Sequence, residues 1–139
     1  MIGEATDGFV DDAAFLESGE SVSIDQVDEY RVGVSVRQPA IMMYTSGTTA
    51  NPKGCPLNHE VLVRNGINMN RSRYFLESND RFWAPLPLFH MAAILPLMCC
   101  MDAGAAMLSM TYFEPGLSLK MMEEEKVTVA FPSFPTIMQ

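Results

Sequence analysis

Residues 40–54 read Ala-Ile-Met-Met-Tyr-Thr-Ser-Gly-Thr-Thr-Ala-Asn-Pro-Lys-Gly, and this stretch decides the expected fold. Residues 40–45 form an apolar run of strand length, which is typical of a parallel strand buried on both faces. The Gly, Ser, Thr and Pro residues that follow, over residues 46–56, predict a loop. Because open α/β sheets bind ligands beyond the carboxyl ends of their strands, this loop lies where a site is expected.

Further along the chain, helical and extended patterns alternate. Asn58 is the expected N-cap of a helix that runs to about Phe75, with Glu60 in its first turn. The other predicted elements are strands over residues 81–86, 105–110 and 127–131, a helix over 91–103 closed by Gly104, and a helix over 117–126 after Pro115 at N1. This order predicts an α/β fold, part of a mostly parallel β-sheet with flanking helices, joined by right-handed crossovers.

The length of 139 residues and the net charge of −8 bound the class of protein. One domain at most is expected, and the negative charge argues against nucleic acid as a partner. Nine of the 17 acidic residues lie within residues 1–30, which contain none of the nine basic residues. We therefore expect an acidic, solvated lead-in over residues 1–37, with a short helix at 10–16 ended at Gly19, followed by a packed domain over 38–139.

Three cysteines, with Cys99 and Cys100 adjacent, do not resemble a disulfide framework, and the pair is expected to pack in the core rather than bind metal. The amino-terminal residues lack the basic and apolar regions of a secretory signal, so the cytoplasm is the expected location. Residues 82–101 carry no charged side chain and have the length of a membrane span. Three prolines and His90 interrupt them, which favours a buried strand and a buried helix over a transmembrane segment.

The loop after the first predicted strand has the composition of a phosphate-binding site. Four hydroxyls lie within residues 45–49 around Gly47, and Lys53 follows shortly after. Hydroxyls and backbone N–H groups donate to phosphate oxygens, and a lysine adds a charge-assisted contact. The Walker pattern cannot be aligned here. Composition alone leaves an ordinary polar turn with a solvated lysine equally open.

The order of the residues narrows this choice. The pattern Tyr-Thr-Ser-Gly-Thr-Thr-x-x-Pro-Lys-Gly over residues 44–54 resembles the signature loop of the AMP-forming adenylating (ANL) superfamily, which includes acyl-CoA synthetases, luciferases and the adenylation domains of peptide synthetases. Matching segments continue at residues 57–59, 85–90, 104, 113–115, 127–128 and 134–136. The resemblance therefore covers residues 38–139, as a partial AMP-binding domain.

The resemblance implies an ATP-dependent ligase that activates a carboxylic acid as an acyl-adenylate and then forms a thioester with coenzyme A. By this resemblance the residues that bind the nucleotide phosphates are Thr45, Ser46, Gly47, Thr48, Thr49, Lys53 and Gly54. Thr48 is the expected Mg²⁺ contact, Lys53 and His90 are the expected catalytic residues, and His90 and Met91 are expected to line the acid pocket. Without the resemblance, a buried histidine with a satisfied N–H would be the simpler interpretation of His90.

The apolar residues after His90 favour a hydrophobic acid, such as a fatty acid, although they are equally compatible with a core-facing helix. Ala50 departs from the family pattern, in which glycine is commoner at that position. The later family motifs, including the Tyr-Gly-x-Thr-Glu segment, have no counterpart in these 139 residues. The resemblance therefore implies an internal fragment of the large N-terminal domain, inactive alone without the rest of the enzyme. A non-catalytic nucleotide- or anion-binding module and a peptide-synthetase adenylation domain stay open as alternatives.

Overall fold

The computed structural model describes residues 10–45, 51–110 and 112–131, and the chain divides between Ser35 and Val36 into two compact units. The described helices are α1 (Asp12–Gly19), α2 (Ile24–Gly33), α3 (His59–Met69), α4 (Met91–Ala103) and α5 (Pro115–Glu124). The described strands are β1 (Pro39–Thr45), β2 (Lys53–Asn58), β3 (Arg81–Trp83), β4 (Ala106–Leu108) and β5 (Val129–Ala130).

The first unit contains the helices α1 and α2, each started by a side-chain cap. The Asp11 carboxylate accepts a hydrogen bond from the Ala14 N–H at 2.8 Å. Ser23 and Gln26 form a capping box at the start of α2, in which each side chain accepts from the other residue's N–H. Helix α2 was not predicted from the sequence, although the Ser-x-x-Gln spacing is a known signature of a helix start. None of the described residues of either helix is buried.

The second unit contains a parallel sheet in the order β4-β3-β5, with β3 in the centre. Phe82 pairs with Met107 on one side and with Val129 on the other. The central strand is nearly inaccessible, since Phe82 is fully buried and Trp83 is 3% exposed. The parallel sheet and its helices confirm the predicted α/β class.

The core lies between this sheet and helix α4. Its buried side chains are Leu76, Phe82, Cys99 and Cys100. The rings of Tyr74 and Phe82 are 5.0 Å apart between centroids. Helix α4 has the predicted bounds and ends at Gly104, whose φ of 70° is the left-handed conformation that glycine favours. No helix within the described ranges is long and apolar enough to cross a membrane.

Residues 40–45 were predicted to form a strand of a parallel sheet, buried on both faces. The strand is present, but the predicted pairing and the predicted burial are both wrong. Strand β1 pairs antiparallel with β2 in a separate two-stranded sheet, and most of its residues are exposed. The connection spans only residues 46–52, whereas a crossover between parallel strands needs a dozen or more residues. Strand β2 was missed because Gly54 and Pro56 are both unfavourable in strand interiors, although an edge strand tolerates them.

Other differences concern where elements end. Helix α3 ends at Met69 and continues as one π-helical turn over Asn70–Tyr74, and Phe75 leaves the turn with a φ of 51°. The predicted strand over 81–86 stops at Trp83, two residues before Pro85. Strands β4 and β5 are shorter than predicted, and α5 begins at Pro115 itself, with Glu114 as its N-cap.

Candidate functional site

The hairpin of β1 and β2 holds the two ends of the signature loop together. Thr45 is the last residue of β1 and pairs in register with Lys53, the first residue of β2. The Thr45 hydroxyl donates a hydrogen bond of 3.5 Å to the carbonyl oxygen of Lys53. The structure thus brings two of the predicted phosphate-binding residues side by side. Ser46, Gly47, Thr48 and Thr49 lie outside the described residues.

Lys53 is exposed, and it makes no ion pair with any carboxylate in the described ranges. An ammonium group beside a threonine hydroxyl is a donor set that suits phosphate oxygens, because both groups can donate and the lysine carries a full positive charge. The described part of the site therefore fits the phosphates of a nucleotide. No described carboxylate neutralises the positive charge of Lys53, so this charge is available to a phosphate.

Side-chain packing on the hairpin favours glycine at position 54. A Cβ built at this position would lie 3.0 Å from the Met42 Sδ and 3.5 Å from the Tyr44 ring. Tyr44 is also the cross-strand partner of Gly54. The glycine therefore allows the tyrosine ring and the methionine to lie against β2 just below the loop, a role the sequence did not suggest.

His90 lies in the turn between β3 and α4 and is exposed, so the simpler interpretation of a buried histidine is wrong. The backbone N–H of His90 donates to the carbonyl oxygen of Pro87 at 2.9 Å, and its ring Nδ1 accepts from the Ala92 N–H at 3.0 Å. His90 is thus the N-cap of α4. Because Nδ1 acts as the acceptor, the neutral ring carries its proton on Nε2. Met91 follows as the first, half-buried residue of α4.

The same turn forms one wall of a groove of about 390 Å³ at the carboxyl edge of the parallel sheet. The groove is lined by Pro87, Leu88, Phe89, Ser109 and Met110. Ser109 and Met110 directly follow β4, and the Ala84 N–H donates to the Leu108 carbonyl at 3.0 Å, which holds the two strand ends together. The expectation that a site lies beyond a parallel strand thus applies to β3 and β4 and not to β1.

Sequence reasoning placed Pro87, Leu88 and Phe89 in a matching segment and Ser109 and Met110 in the predicted strand over 105–110, and it named none of them as a site residue. Their position after two parallel strands was the available signal. No hydrogen bond or ion pair joins the hairpin base at Thr45 and Lys53 to His90 among the described residues. The structure therefore groups the predicted site residues into two sets, one on the hairpin and one beside the groove.

Cys99 and Cys100 are both buried in the core, as expected. The Cys99 thiol donates to the Gly66 carbonyl at 3.4 Å. Burial, and then the neighbouring Cys99 and Asp80, raise the pKa of Cys100 to about 11, so its thiol is protonated at neutral pH. Within residues 10–45, 51–110 and 112–131, no group of three or more His, Cys, Asp or Glu side chains is arranged to hold a metal ion.

Comparison with protein families identifies a match over nearly the whole chain. The family model described as AMP-binding enzyme matches residues 4–139 of this chain. A curated relative, 4-coumarate–CoA ligase 1 of Arabidopsis thaliana, is 36% identical over 110 residues, which are 76% of this chain and 19% of the relative. The match to the family model thus extends over nearly the whole sequence, including most of the acidic lead-in.

Solved structures share the fold. The o-succinylbenzoate CoA synthetase of Bacillus subtilis with its acyl-adenylate intermediate has a TM-score of 0.68 and 24% identity, covering 75% of this chain and 27% of that one. The same enzyme with ATP and magnesium ion has a TM-score of 0.62 and 26% identity, covering 69% of this chain and 20% of that one. This chain therefore spans less than a third of the length of these proteins.

Proposed function

Since this chain belongs to the family of AMP-binding enzymes, we propose that it is part of an ATP-dependent carboxylate–CoA ligase. In the first step, a carboxylate oxygen attacks the α-phosphorus of ATP, and pyrophosphate leaves with the electron pair of the broken P–O bond. In the second, the thiolate of coenzyme A attacks the acyl carbon, and AMP leaves. The first step requires an in-line approach and stabilisation of the charge on pyrophosphate.

The observation that carries this proposal is the hairpin base. Thr45 and Lys53 face each other across the ends of the signature loop, and the lysine is not neutralised by a described carboxylate. We assign the β- and γ-phosphates to these two residues together with Ser46, Gly47, Thr48, Thr49 and the backbone of Gly54. Thr48 would contact the Mg²⁺ that neutralises the phosphates.

His90 and Met91 are assigned to the acid pocket. The N-cap hydrogen bond to Ala92 supports this role, because it orients the imidazole ring at the carboxyl edge of the sheet. The apolar groove beside the same turn supports a hydrophobic carboxylic acid, fatty or aromatic. The name of the Arabidopsis relative points to an aromatic acid as one member of that class.

We also propose that the chain combines an acidic lead-in over residues 1–37 with a partial AMP-binding domain over 38–139, and that it works in the cytoplasm. The division between Ser35 and Val36 lies close to that boundary. We expect the 139-residue chain alone to be inactive in ATP–pyrophosphate exchange, because it spans about a fifth of the length of the Arabidopsis ligase. Robust exchange by the purified chain with any acid would contradict this.

Binding of ATP to the chain tests the assignment of Lys53 directly. Hydrogen bonds to charged groups contribute about 1.5 to 3 kcal/mol, so Lys53→Ala should weaken ATP binding by roughly tenfold or more. Lys120→Ala is the matched control, since Lys120 is an exposed lysine that pairs with Glu124 on α5. Calorimetric titration of both variants, with far-UV circular dichroism to verify folding, gives the comparison. Equal ATP affinities for wild type and Lys53→Ala would refute phosphate contact by Lys53.

A further inference from the structure

The sulfur of Met42 lies directly over Gly54, next to the ends of the signature loop. A Cβ built at Gly54 would lie 3.0 Å from the Met42 Sδ and 3.5 Å from the Tyr44 ring, so the sulfur and the ring are neighbours on one face of the hairpin. A methionine sulfur beside an aromatic ring makes a favourable contact. Met42 therefore helps to cover the pair of Tyr44 and Gly54. This pair is adjacent to the pair of Thr45 and Lys53, which closes the loop.

Met42 is also open to small oxidants, unlike most of the described methionines. It is 54% exposed on β1. Within the ranges that the structure describes, the other exposed methionine is Met101 on α4, which is 68% exposed. The remaining methionines of those ranges are half-buried or buried. Of the two methionines most open to oxidation, one therefore lies on the hairpin of β1 and β2 and the other lies on a helix.

Hydrogen peroxide oxidises an exposed methionine by transfer of one oxygen atom. A lone pair of the sulfur attacks one peroxide oxygen, and the S–O bond forms as the O–O bond breaks. The proton on the transferred oxygen passes to the departing hydroxide, which leaves as water. The sulfur is oxidised by two electrons to a sulfoxide, and the peroxide is reduced. The new side chain is polar and carries an additional oxygen atom at the point where the Met42 sulfur contacts Gly54.

We infer that Met42 is an oxidation site through which peroxide weakens nucleotide binding by this chain. The inference rests on the proposed function, since it takes Thr45 and Lys53 to hold phosphate. The sulfoxide loses the sulfur–ring contact and the apolar cover of Gly54. Because a two-stranded sheet is marginal by itself, loss of one contact lowers the fraction of chains in which the hairpin is paired. The apparent ATP affinity falls in proportion to this fraction, because only the paired hairpin brings the two loop ends together.

Peroxide treatment of the complete chain tests the inference. Every sample carries Cys55→Ser, because the exposed Cys55 thiol is also oxidised by peroxide. The compared chains are otherwise wild type, Met42→Leu and the matched control Met101→Leu. Mass spectrometry locates the sulfoxides, and calorimetric titration measures ATP affinity before and after treatment. We expect oxidation to weaken ATP binding roughly threefold, the size of one sulfur–aromatic contact, in wild type and Met101→Leu but not in Met42→Leu.

Repair of the sulfoxide provides a second readout. The two methionine sulfoxide reductases, one for each sulfoxide epimer, should restore the ATP affinity of the oxidised wild-type chain. Unchanged ATP affinity after complete oxidation of Met42 would overturn the inference. An equal loss of affinity in Met42→Leu would overturn it as well, because the oxidised group would then lie elsewhere.

Hydrogen exchange of the β1 and β2 amides separates this inference from the proposed function. We expect faster exchange after oxidation of wild type, but not of Met42→Leu, in the absence of ATP. If ATP binding proves independent of Lys53, this faster exchange still supports the effect of Met42 on the hairpin, and the phosphate assignment alone fails. If ATP binding depends on Lys53 but oxidation changes neither exchange nor affinity, the proposed function stands and the role of Met42 is refuted.

Discussion

Asp80, just before the central strand β3, links all three strands of the parallel sheet. Its carboxylate accepts hydrogen bonds from the Glu77 N–H and the Thr128 hydroxyl, both at 2.7 Å. Its carbonyl accepts from the Ala106 N–H at 3.0 Å, and Thr128 Oγ1 accepts from the Arg81 N–H at 3.0 Å. Asp80 therefore joins the amino-terminal ends of the three strands through its side chain and its backbone carbonyl together.

The charge of Asp80 should make this edge sensitive to acid. The Glu77 N–H and then the Thr128 hydroxyl hold the pKa of Asp80 below its ordinary value of 3.8. A lowered folded-state pKa stabilises the fold above the unfolded pKa, and this contribution is lost as pH falls through the folded value. Asp80→Asn should lower the melting temperature by a few degrees at pH 7, and the difference should shrink below about pH 4. A difference in melting temperature between wild type and Asp80→Asn that is the same at pH 7 and pH 3 would argue against this linkage. Glu124→Gln, on the exposed face of α5, serves as the control.

The three cysteines should differ in reactivity by their burial. Cys55 is exposed on β2, whereas Cys99 and Cys100 are buried and burial raises the pKa of both thiols. Because the thiolate is the nucleophile, we expect iodoacetamide at pH 8 to modify Cys55 in the folded chain and the other two only after unfolding. Mass spectrometry of the labelled chain measures this. Rapid labelling of Cys100 without denaturant would show that the core around it is open.

At the scale of elements, the close approach of α3 and α4 depends on Gly66. A Cβ at this position would lie 2.4 Å from the Met98 Cβ and 3.0 Å from the Met98 carbonyl carbon, too close for either atom. The Cys99 thiol also donates to the Gly66 carbonyl. The glycine thus allows the two helix backbones to meet, which places Cys99 and Cys100 in the core.

Gly66→Ala should therefore destabilise the chain in spite of the higher helix propensity of alanine. Overpacking of a tight contact costs about 1 to 3 kcal/mol, and we expect a loss of that size in the free energy of unfolding. Val63→Ala, at a half-exposed position almost one turn before Gly66 on α3, should change it by less than about 0.5 kcal/mol. Urea unfolding measures both. If Gly66→Ala is as stable as wild type, α3 and α4 do not approach as closely as described.

At the scale of the whole molecule, the hairpin leaves apolar strand surface uncovered. Met42 and Tyr44 are 54% and 72% exposed on β1, and no third strand pairs with β1 among the described residues. A two-stranded sheet is marginal by itself, and an uncharged edge strand readily pairs with another chain. We therefore expect the isolated chain to associate through this surface.

A lysine on this strand should reduce self-association. Met42→Lys places a charge on the exposed apolar surface, and edge-strand lysines oppose pairing between chains. Sedimentation velocity over a range of concentrations should show a smaller associated fraction than for wild type. Leu119→Lys, at a more exposed apolar site on α5, should have little effect. If both variants behave alike, net charge rather than the strand edge controls association.

The sequence by itself determined the α/β class, the bounds of α4 and its glycine stop, and the family, because helical periodicity, capping residues and a long signature loop are local properties of the chain. The end of β1 at Thr45 was likewise recognised from local composition. These features need no knowledge of what the segments pack against.

Only the tertiary structure decided the partner of β1, the groove beside His90 and the need for glycine at position 66. An apolar run has the same composition whether it is buried in a parallel sheet or exposed in a hairpin. Strand partners, backbone approach and the meeting of two strand ends depend on residues far apart in sequence. No local pattern encodes those distances, so they emerge when the chain has packed.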